Sequence, residues 1–548
     1  MRVLRAGACV VAGAVLAPIA ALVWIAAEPS GDLWPHLAAN VLPQALRDTA
    51  LLLAGVGLIV AVLGTGTAWL VATCRFPGRG LFEWALLLPL AVPTYIQAYV
   101  YLDALHPLGP IPTALRALLG LARPRDLPLP DVRSLTGCIV LLGFVLYPYV
   151  YLTARSSFLV QTAPALDAAR TLGLGPLRTF LRVALPLARP AIVVGLTLAL
   201  MEAANDIGAS EFLGVQTLTV SIYSTWLNRS SLPGAAQIAL FMLLLVLGLT
   251  ALERWGRRHV RVANVGARTR PPVRSALHGW RAALAFLACL VPVTGGFLLP
   301  AGHLAYTAFQ RWRFAGLSDT IVTEALATLR FAAGGTMLAL ALGLIVTMAV
   351  RSGALANTLA LRLASLGYAV PGTVLAVGLL VPLAGFDNAL DQAARAVFDV
   401  STGLLISGSG AALLIAYALR FLAIPVGGLE AGYGRISPTL DMAARSLGQT
   451  PGGVLRRVHL PLLRPALGAA ALLVFVDAMK ELPATLMLRP LNFETLATHI
   501  YGEAARGTYE DAAVAALLIV AVGLLPVILL ARFSRPANAQ EASSGRSR

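Results

Sequence analysis

The chain contains a single lysine, Lys480, and charged side chains make up only 12% of its 548 residues. A soluble globular domain carries about 25%, and no soluble core could hide the apolar surface that this deficit implies. The lysine is flanked by Met479 and Glu481. A phosphate-binding P-loop requires Gly-Lys followed by Ser or Thr, so no Walker-type ATPase resides here. Cysteine is equally scarce. Cys9, Cys74, Cys138 and Cys289 lie far apart, with no paired spacing for a disulfide framework or a metal site. The seven histidines are dispersed, and no Ser/His/Asp or paired-carboxylate constellation falls in a loop domain of useful size. An enzyme is therefore not expected, and neither a cofactor nor a metal site is assigned to this chain.

What the sequence has instead is apolar length. Hydrophobic residues form 58% of the chain and mean hydropathy is +0.78. They come in blocks near the ~20 residues that a helix needs to cross a bilayer. Twelve spans are expected at 6–27, 48–73, 82–104, 135–157, 190–213, 234–252, 282–301, 326–350, 363–384, 403–425, 465–488 and 511–531. They must be helices, because in lipid every backbone N–H and C=O has to be satisfied within the segment. The short alternating strands of a membrane β-barrel are absent. The fold class is thus all-α and polytopic.

A net charge of +16 could suggest nucleic acid, but its distribution excludes that partner. Arginines gather in alternate loops, with clusters at 155–189, 254–281 and 435–464. By the positive-inside rule those loops and both termini face the cytoplasm, as in a bacterial inner-membrane protein. The loop 105–134, with Arg116, Arg123, Arg125 and Arg133, breaks the alternation. The first apolar stretch follows Arg2 and Arg5 like a signal peptide, yet removing it would spoil the even topology, so an uncleaved first span is expected.

An internal repeat organises the chain. Residues 168–190, AARTLGLGPLRTFLRVALPLARP, align without a gap on 443–465, AARSLGQTPGGVLRRVHLPLLRP, at an offset of 275. Val92-Pro93 matches Val370-Pro371 at 278, and Thr217 with Tyr223 matches Thr495 with Tyr501 at the same offset. Two parallel six-helix halves follow, 1–253 and 282–535, joined by a basic cytoplasmic linker, 254–281. A polar tail, 536–548, is expected to be disordered. Within the repeated loops 165–189 and 440–464, a short helix should begin at Ala168-Ala169 or Ala443-Ala444. Gly173 or Gly448 should end it, since glycine tolerates the left-handed cap. A short helix standing off the membrane suits docking into another protein.

These two loops resemble the EAA loop of binding-protein-dependent ABC importer permeases: an acidic residue, Ala-Ala, Gly, then a hydrophobic-Pro pair. Asp167, Ala168, Ala169, Gly173 and Pro186 fit it in the first loop, and Asp441, Ala443, Ala444, Gly448 and Pro461 in the second, where Met442 separates the acid from the alanines. Segments 88–101, 420–448 and 480–501 are most similar to fused permeases of the ferric-iron type, with thiamine and phosphonate permeases sharing much of the pattern. The resemblance implies a MetI-like permease fold in the cytoplasmic membrane, ferric iron as passenger, and an extracytoplasmic solute-binding protein as donor. It also implies two copies of an ABC ATPase, holding ATP and Mg, docked on the loops. Thiamine, a phosphonate or a polyamine are alternative passengers. A secondary transporter driven by an ion gradient is the alternative of another class.

Charges within spans are costly and call for a functional hypothesis. Glu202 and Asp206, four residues apart, repeat as Asp477 and Glu481, with Lys480 between them. Two readings stay open. These residues line a translocation path, where oxygen ligands suit a hard cation. Alternatively they are structural, Lys480 pairing with Asp477 and the carboxylates capping neighbouring helices. Pro93, Pro371 and Gly372 interrupt the third and ninth spans and are candidate gate hinges.

Overall fold

A computed structural model describes residues 2–31, 33–121, 123–128, 130–160, 165, 168–169, 171–257, 274–316, 318–351, 355–364, 370–434 and 436–533. Among these described residues, ten helices are long and apolar enough to span a bilayer, or up to twelve spans when each of two bent pairs counts as one. In chain order, the helices used below are α1 (Arg2–Ala27), α2 (Leu42–Thr73), α3 (Thr94–Ala104), α4 (Leu135–Val160), α5 (Leu185–Asn205), α6 (Gly208–Phe212) and α7 (Leu232–Arg257). They continue with α8 (Trp280–Ala315), α9 (Asp319–Arg351), α10 (Gly372–Phe398), α11 (Ala411–Phe421), α12 (Ala423–Tyr433), α13 (Pro438–Ser446), α14 (Leu460–Met479), α15 (Pro483–Leu488) and α16 (Tyr509–Phe533).

The chain divides into two compact units that interleave along the sequence: Met1–Val41, Ser221–Leu244 and Ser318–His499 in one, Leu42–Val220, Leu245–Leu317 and Ile500–Arg548 in the other. Neither coincides with a sequence half. In the first unit, α1 packs on α9 and α10 from the other half of the chain. In the second unit, α8 and α16 pack on each other and on the third span. The first and last spans of each half therefore exchange partners.

Four π-helical segments among the described residues share one cause. Leu37–Val41, Phe180–Ala184, Thr294–Leu298 and Leu455–His459 each run directly into a Leu-Pro pair, at Pro43, Pro186, Pro300 and Pro461. Proline has no N–H for the carbonyl four residues back, and its ring collides with that carbonyl. A wide π turn moves the carbonyl aside while the helix continues. The fifth and eleventh spans consequently start earlier than hydropathy suggests, as helical runs Pro176–Asn205 and Gly452–Met479, and they also stop earlier. The expected ends at 213 and 488 are corrected by breaks after Asn205 and Met479.

The turn before Pro300 shows where a freed carbonyl goes. The Gly296 carbonyl, four residues before Pro300, accepts a 2.7 Å bond from Gln97 Nε2 on α3. The neighbouring Gly295 carbonyl accepts from the Tyr101 hydroxyl. Gln97→Met is expected to leave the Gly296 carbonyl without its donor and to lower stability by about 1–3 kcal/mol. Thermal unfolding of the detergent-solubilised chain measures this, and an unchanged midpoint would mean that another donor fills the place.

The ninth span is corrected to Gly372–Phe398 from the expected 363–384: Pro371 is extended (ψ 145) and stands immediately before the first turn, a place where proline's missing N–H costs nothing. The third span is broken at Val92-Pro93, where helical segments on either side meet at 92°. The irregular arginine loop also has a local explanation. Arg116 is buried and gives 2.6 Å to the Pro107 carbonyl, and Arg133 Nε gives 3.1 Å to the Phe212 carbonyl. At least these two charges are structural ties, not free topogenic signals.

Candidate coupling and translocation sites

Among the described residues, the repeated loops share the backbone geometry that follows their paired alanines. In the second, Ser437 caps α13 and Pro438 occupies its first turn, the positions where each is favoured. Gly448 follows at φ +79, and the Gln449 N–H closes the helix with a 3.0 Å bond to the Ala444 carbonyl. In the first, Gly173 sits at φ +77 and the Leu174 N–H reaches the Ala169 carbonyl at 3.1 Å. Each bond is the other shifted by 275 residues. Ala168 and Ala443 are exposed while Ala169 and Ala444 are buried, and the leucines before the glycines, Leu172 and Leu447, are each 81% exposed. Pro186 and Pro461 lie at the exposed start of the following spans, after their π turns. Asp167 lies outside the described residues.

Asp441 turns inward. Its Oδ2 accepts from Arg351 Nε at 2.8 Å, and its Oδ1 accepts from His459 Nε2 at 2.7 Å. Burial opposes its ionisation, but hydrogen bonds and charge from Arg351 and His459 outweigh that and hold the carboxyl below its ordinary value.

The intramembrane acids fall into two kinds. Asp206 and Glu481 stand just beyond the ends of α5 and α14, so the helix face expected to join Glu202 with Asp206, and Asp477 with Glu481, is interrupted. Asp206 Oδ1 accepts from the N–H groups of Ala209 and Ser210 at 2.8 and 3.1 Å, and its Oδ2 from the Thr94 hydroxyl. Glu481 accepts from the N–H groups of Ala484 and Thr485 at 2.9 and 3.0 Å and from the Thr485 hydroxyl at 2.7 Å. Arg420 Nη1 completes its shell at 2.5 Å. Each carboxylate thus takes the otherwise orphaned donors that open a short helix, α6 or α15. Glu202, Asp477 and Lys480 remain half-buried, with Lys480 Nζ 2.9 Å from Asp477 Oδ1.

The proline breaks join these caps. Pro93 (φ −56, ψ 146) and Pro371 (φ −54, ψ 145) share one extended conformation at the starts of α3 and α10. The next residue faces the acid in each unit. Thr94 donates to Asp206, while Gly372, lacking a side chain, leaves the space that the Arg420 guanidinium fills to reach Glu481. Sequence reasoning missed Thr94 and Arg420. Their signal was the residue after each matched proline, and a buried arginine needing a partner.

Comparison with known proteins agrees with this architecture. Residues 64–262 match the family described as binding-protein-dependent transport system inner membrane component. The Fe(3+)-transport system permease protein FbpB 2 of Haemophilus influenzae is 25% identical over 90% of this chain and 90% of its own length. The probable ABC transporter permease protein y4fN of Sinorhizobium fredii is 26% identical over 89% of this chain and 87% of its own. A putative 2-aminoethylphosphonate transport system permease protein, PhnU of Salmonella paratyphi A, is 28% identical over 38% of this chain and 71% of its own. With the repeated loops and the apolar helices, these matches support an ABC importer permease, a multi-pass inner-membrane protein in which residues 64–262 form a binding-protein-dependent transport system inner membrane component domain.

Proposed function

We propose that this permease carries ferric iron, received from an extracytoplasmic solute-binding protein, into the cytoplasm. The end-to-end similarity to the Haemophilus Fe(3+) permease carries the reading, because it spans both halves of the repeat. Both termini face the cytoplasm. Two copies of a separate ATPase subunit, holding ATP and Mg, dock on loops 165–189 and 440–464. ATP binding draws the two short helices together and opens the path outward, and hydrolysis resets it, as differential contacts with two states require. Glu202, Asp477 and Lys480, half-buried at membrane depth, are the path candidates, while Asp206 and Glu481 fix the helix breaks beside them. Pro93, Pro371 and Gly372 are the hinges at which those breaks move. A phosphonate is the second reading, favoured by the similarity to PhnU over part of the chain.

Labelled iron uptake in cells lacking this chain, with and without its restoration and with the ATPase disabled, tests the proposal. Restoration only with a working ATPase is expected. Uptake that survives ATPase loss would overturn the ATP-driven mechanism, and phosphonate uptake without iron uptake would replace the passenger.

The docking assignment has its own test. A Cβ on Gly173 or Gly448 meets nothing within 4 Å, so a substitution there does not collide with the permease itself. The positive φ remains the only internal cost, and asparagine tolerates it. Gly173→Asn and Gly448→Asn are therefore expected to keep most uptake. Gly173→Glu and Gly448→Glu should insert normally yet reduce uptake at least about tenfold, within the range of coupling energies between sites. Equal uptake in all four variants would remove the ATPase from these loops.

A further inference from the structure

We infer that Asp441 is a positioning residue that locks the second coupling helix to three spans through Arg351 and His459, and that it is not an acid offered to the ATPase. The inference deepens the proposed docking on loop 440–464 and rests on that reading.

Both carboxylate oxygens are already taken. Oδ2 accepts from Arg351 Nε at 2.8 Å, and Oδ1 accepts from Arg351 Nη2 at 3.3 Å and from His459 Nε2 at 2.7 Å. Only 14% of the Asp441 side chain is exposed. An ATPase arginine would have to displace a bidentate partner, the strongest arrangement that a carboxylate makes. The exposed side chains of α13 and its end include no acid: Leu440, Met442 and Leu447 are 44%, 60% and 81% exposed, with Thr439, Arg445 and Ser446 beside them.

Arg351 makes the cluster more than a pair. It is the last residue of α9, and its remaining donors reach the carbonyls of Tyr433 at 3.3 Å and Ile436 at 3.2 Å. Those carbonyls lie at and just past the end of α12. The guanidinium lies 5.2 Å from the centre of the Tyr433 ring, which meets the His459 ring edge-on at 5.2 Å. His459 is buried in the π turn that opens the α14 span. One acid on the coupling helix therefore ties it to the ends of α9 and α12 and to the start of α14. Displacing the helix moves all three together, and without the acid α13 could slip against them.

The two loops are not equivalent in this respect. At the offset of 275, His459 falls on Ala184 and Asp441 on Leu166, so the first loop has no matching acid–histidine pair at these positions.

The test uses the full chain in lipid nanodiscs with its ATPase and solute-binding protein. It reads the ATPase Kd and the ATP hydrolysed per solute moved. Asp441→Asn is expected to leave Kd within about twofold and to raise ATP consumed per solute by about fivefold or more, the low end of typical coupling energies. A weakened Kd with an unchanged ratio would make Asp441 a docking acid and overturn the inference. Unchanged values of both would overturn it equally. If Asp441→Asn does not yield a monodisperse protein, His459→Ala, which keeps the Arg351 pair and copies Ala184, is read by the same criteria. An unmodified chain that binds no ATPase overturns the functional reading itself, and is distinguished because the defect precedes any substitution.

Discussion

Arg420→Met is expected to destabilise the solubilised permease by about 3–5 kcal/mol, the range for removing one partner of a buried ion pair. Glu481 is its partner, with only 1% of the side chain exposed. The three donors left after substitution, from Ala484 and Thr485, satisfy hydrogen bonds but bring no full positive charge. A carboxylate is thereby stranded at the break between α14 and α15, where the eleventh span depends on it to open the next helix. Transport should fall with stability, because the same contact seats the start of α10. Gly372→Ala probes the contact from the other side. Its Cβ would crowd Arg420 Nη1 and stand 3.0 Å from Glu481 Oε1. The guanidinium is the far end of a flexible side chain and can shift, so the loss should be smaller than for Arg420→Met. Thermal unfolding in detergent ranks the variants. An Arg420→Met protein that melts with the unmodified one would show that the ion pair does not hold this break.

Gly195→Val should be nearly as damaging for a different reason. Helix association in lipid relies on close backbone approach through small residues, not on water-driven burial. In the second unit, α4 is gripped from two sides. A Cβ on Gly195 of α5 would stand 2.7 Å from the Tyr149 carbonyl and 2.8 Å from Val150 Cα. A Cβ on Gly64 of α2 would meet Val150 Cβ at 2.6 Å and the Tyr147 carbonyl at 2.9 Å. The obstacles are mainly backbone and cannot rotate away. Overpacking costs about 1–3 kcal/mol and sometimes more, and a β-branched side chain against backbone belongs at the upper end. Gly195→Val and Gly64→Val are each expected to lose about 3 kcal/mol by unfolding in detergent. A double variant with a near-additive loss would mean that the two faces of α4 yield independently.

Much of this architecture was legible in the residues, because the repeat carried it. The AAR…Gly…Leu-Pro register at an offset of 275 located both loops, both glycine caps and both prolines, and each cap has the backbone geometry that glycine implies. Val92-Pro93 and Val370-Pro371 likewise located two breaks that share one conformation. Hydropathy could not place the ends of the fifth and eleventh spans. It averages over windows, whereas those helices end at single polar residues whose partners, Thr94 and Arg420, lie 112 and 61 residues away in sequence. It also could not foresee that Arg116 and Arg133 are occupied by carbonyls, since a count of charges treats every arginine as free. The exchange of first and last spans was invisible for a related reason. Identical halves predict the same contacts whether a helix packs on its own half or on the other.

That exchange fixes the order of events during synthesis. The α1 helix leaves the ribosome before α9 and α10, against which it packs, and 291 residues separate its end from the start of α9. At about 5–20 residues per second, the inserted N-terminal helix waits tens of seconds in the bilayer before its partners exist. Until then Ala8 and Ala12, which cluster with Ala349 of α9, have no native surface to meet. Assembly of the first unit is therefore a late, largely post-insertion event, and the nascent permease passes through a period in which an orphaned helix must be kept from the wrong neighbour.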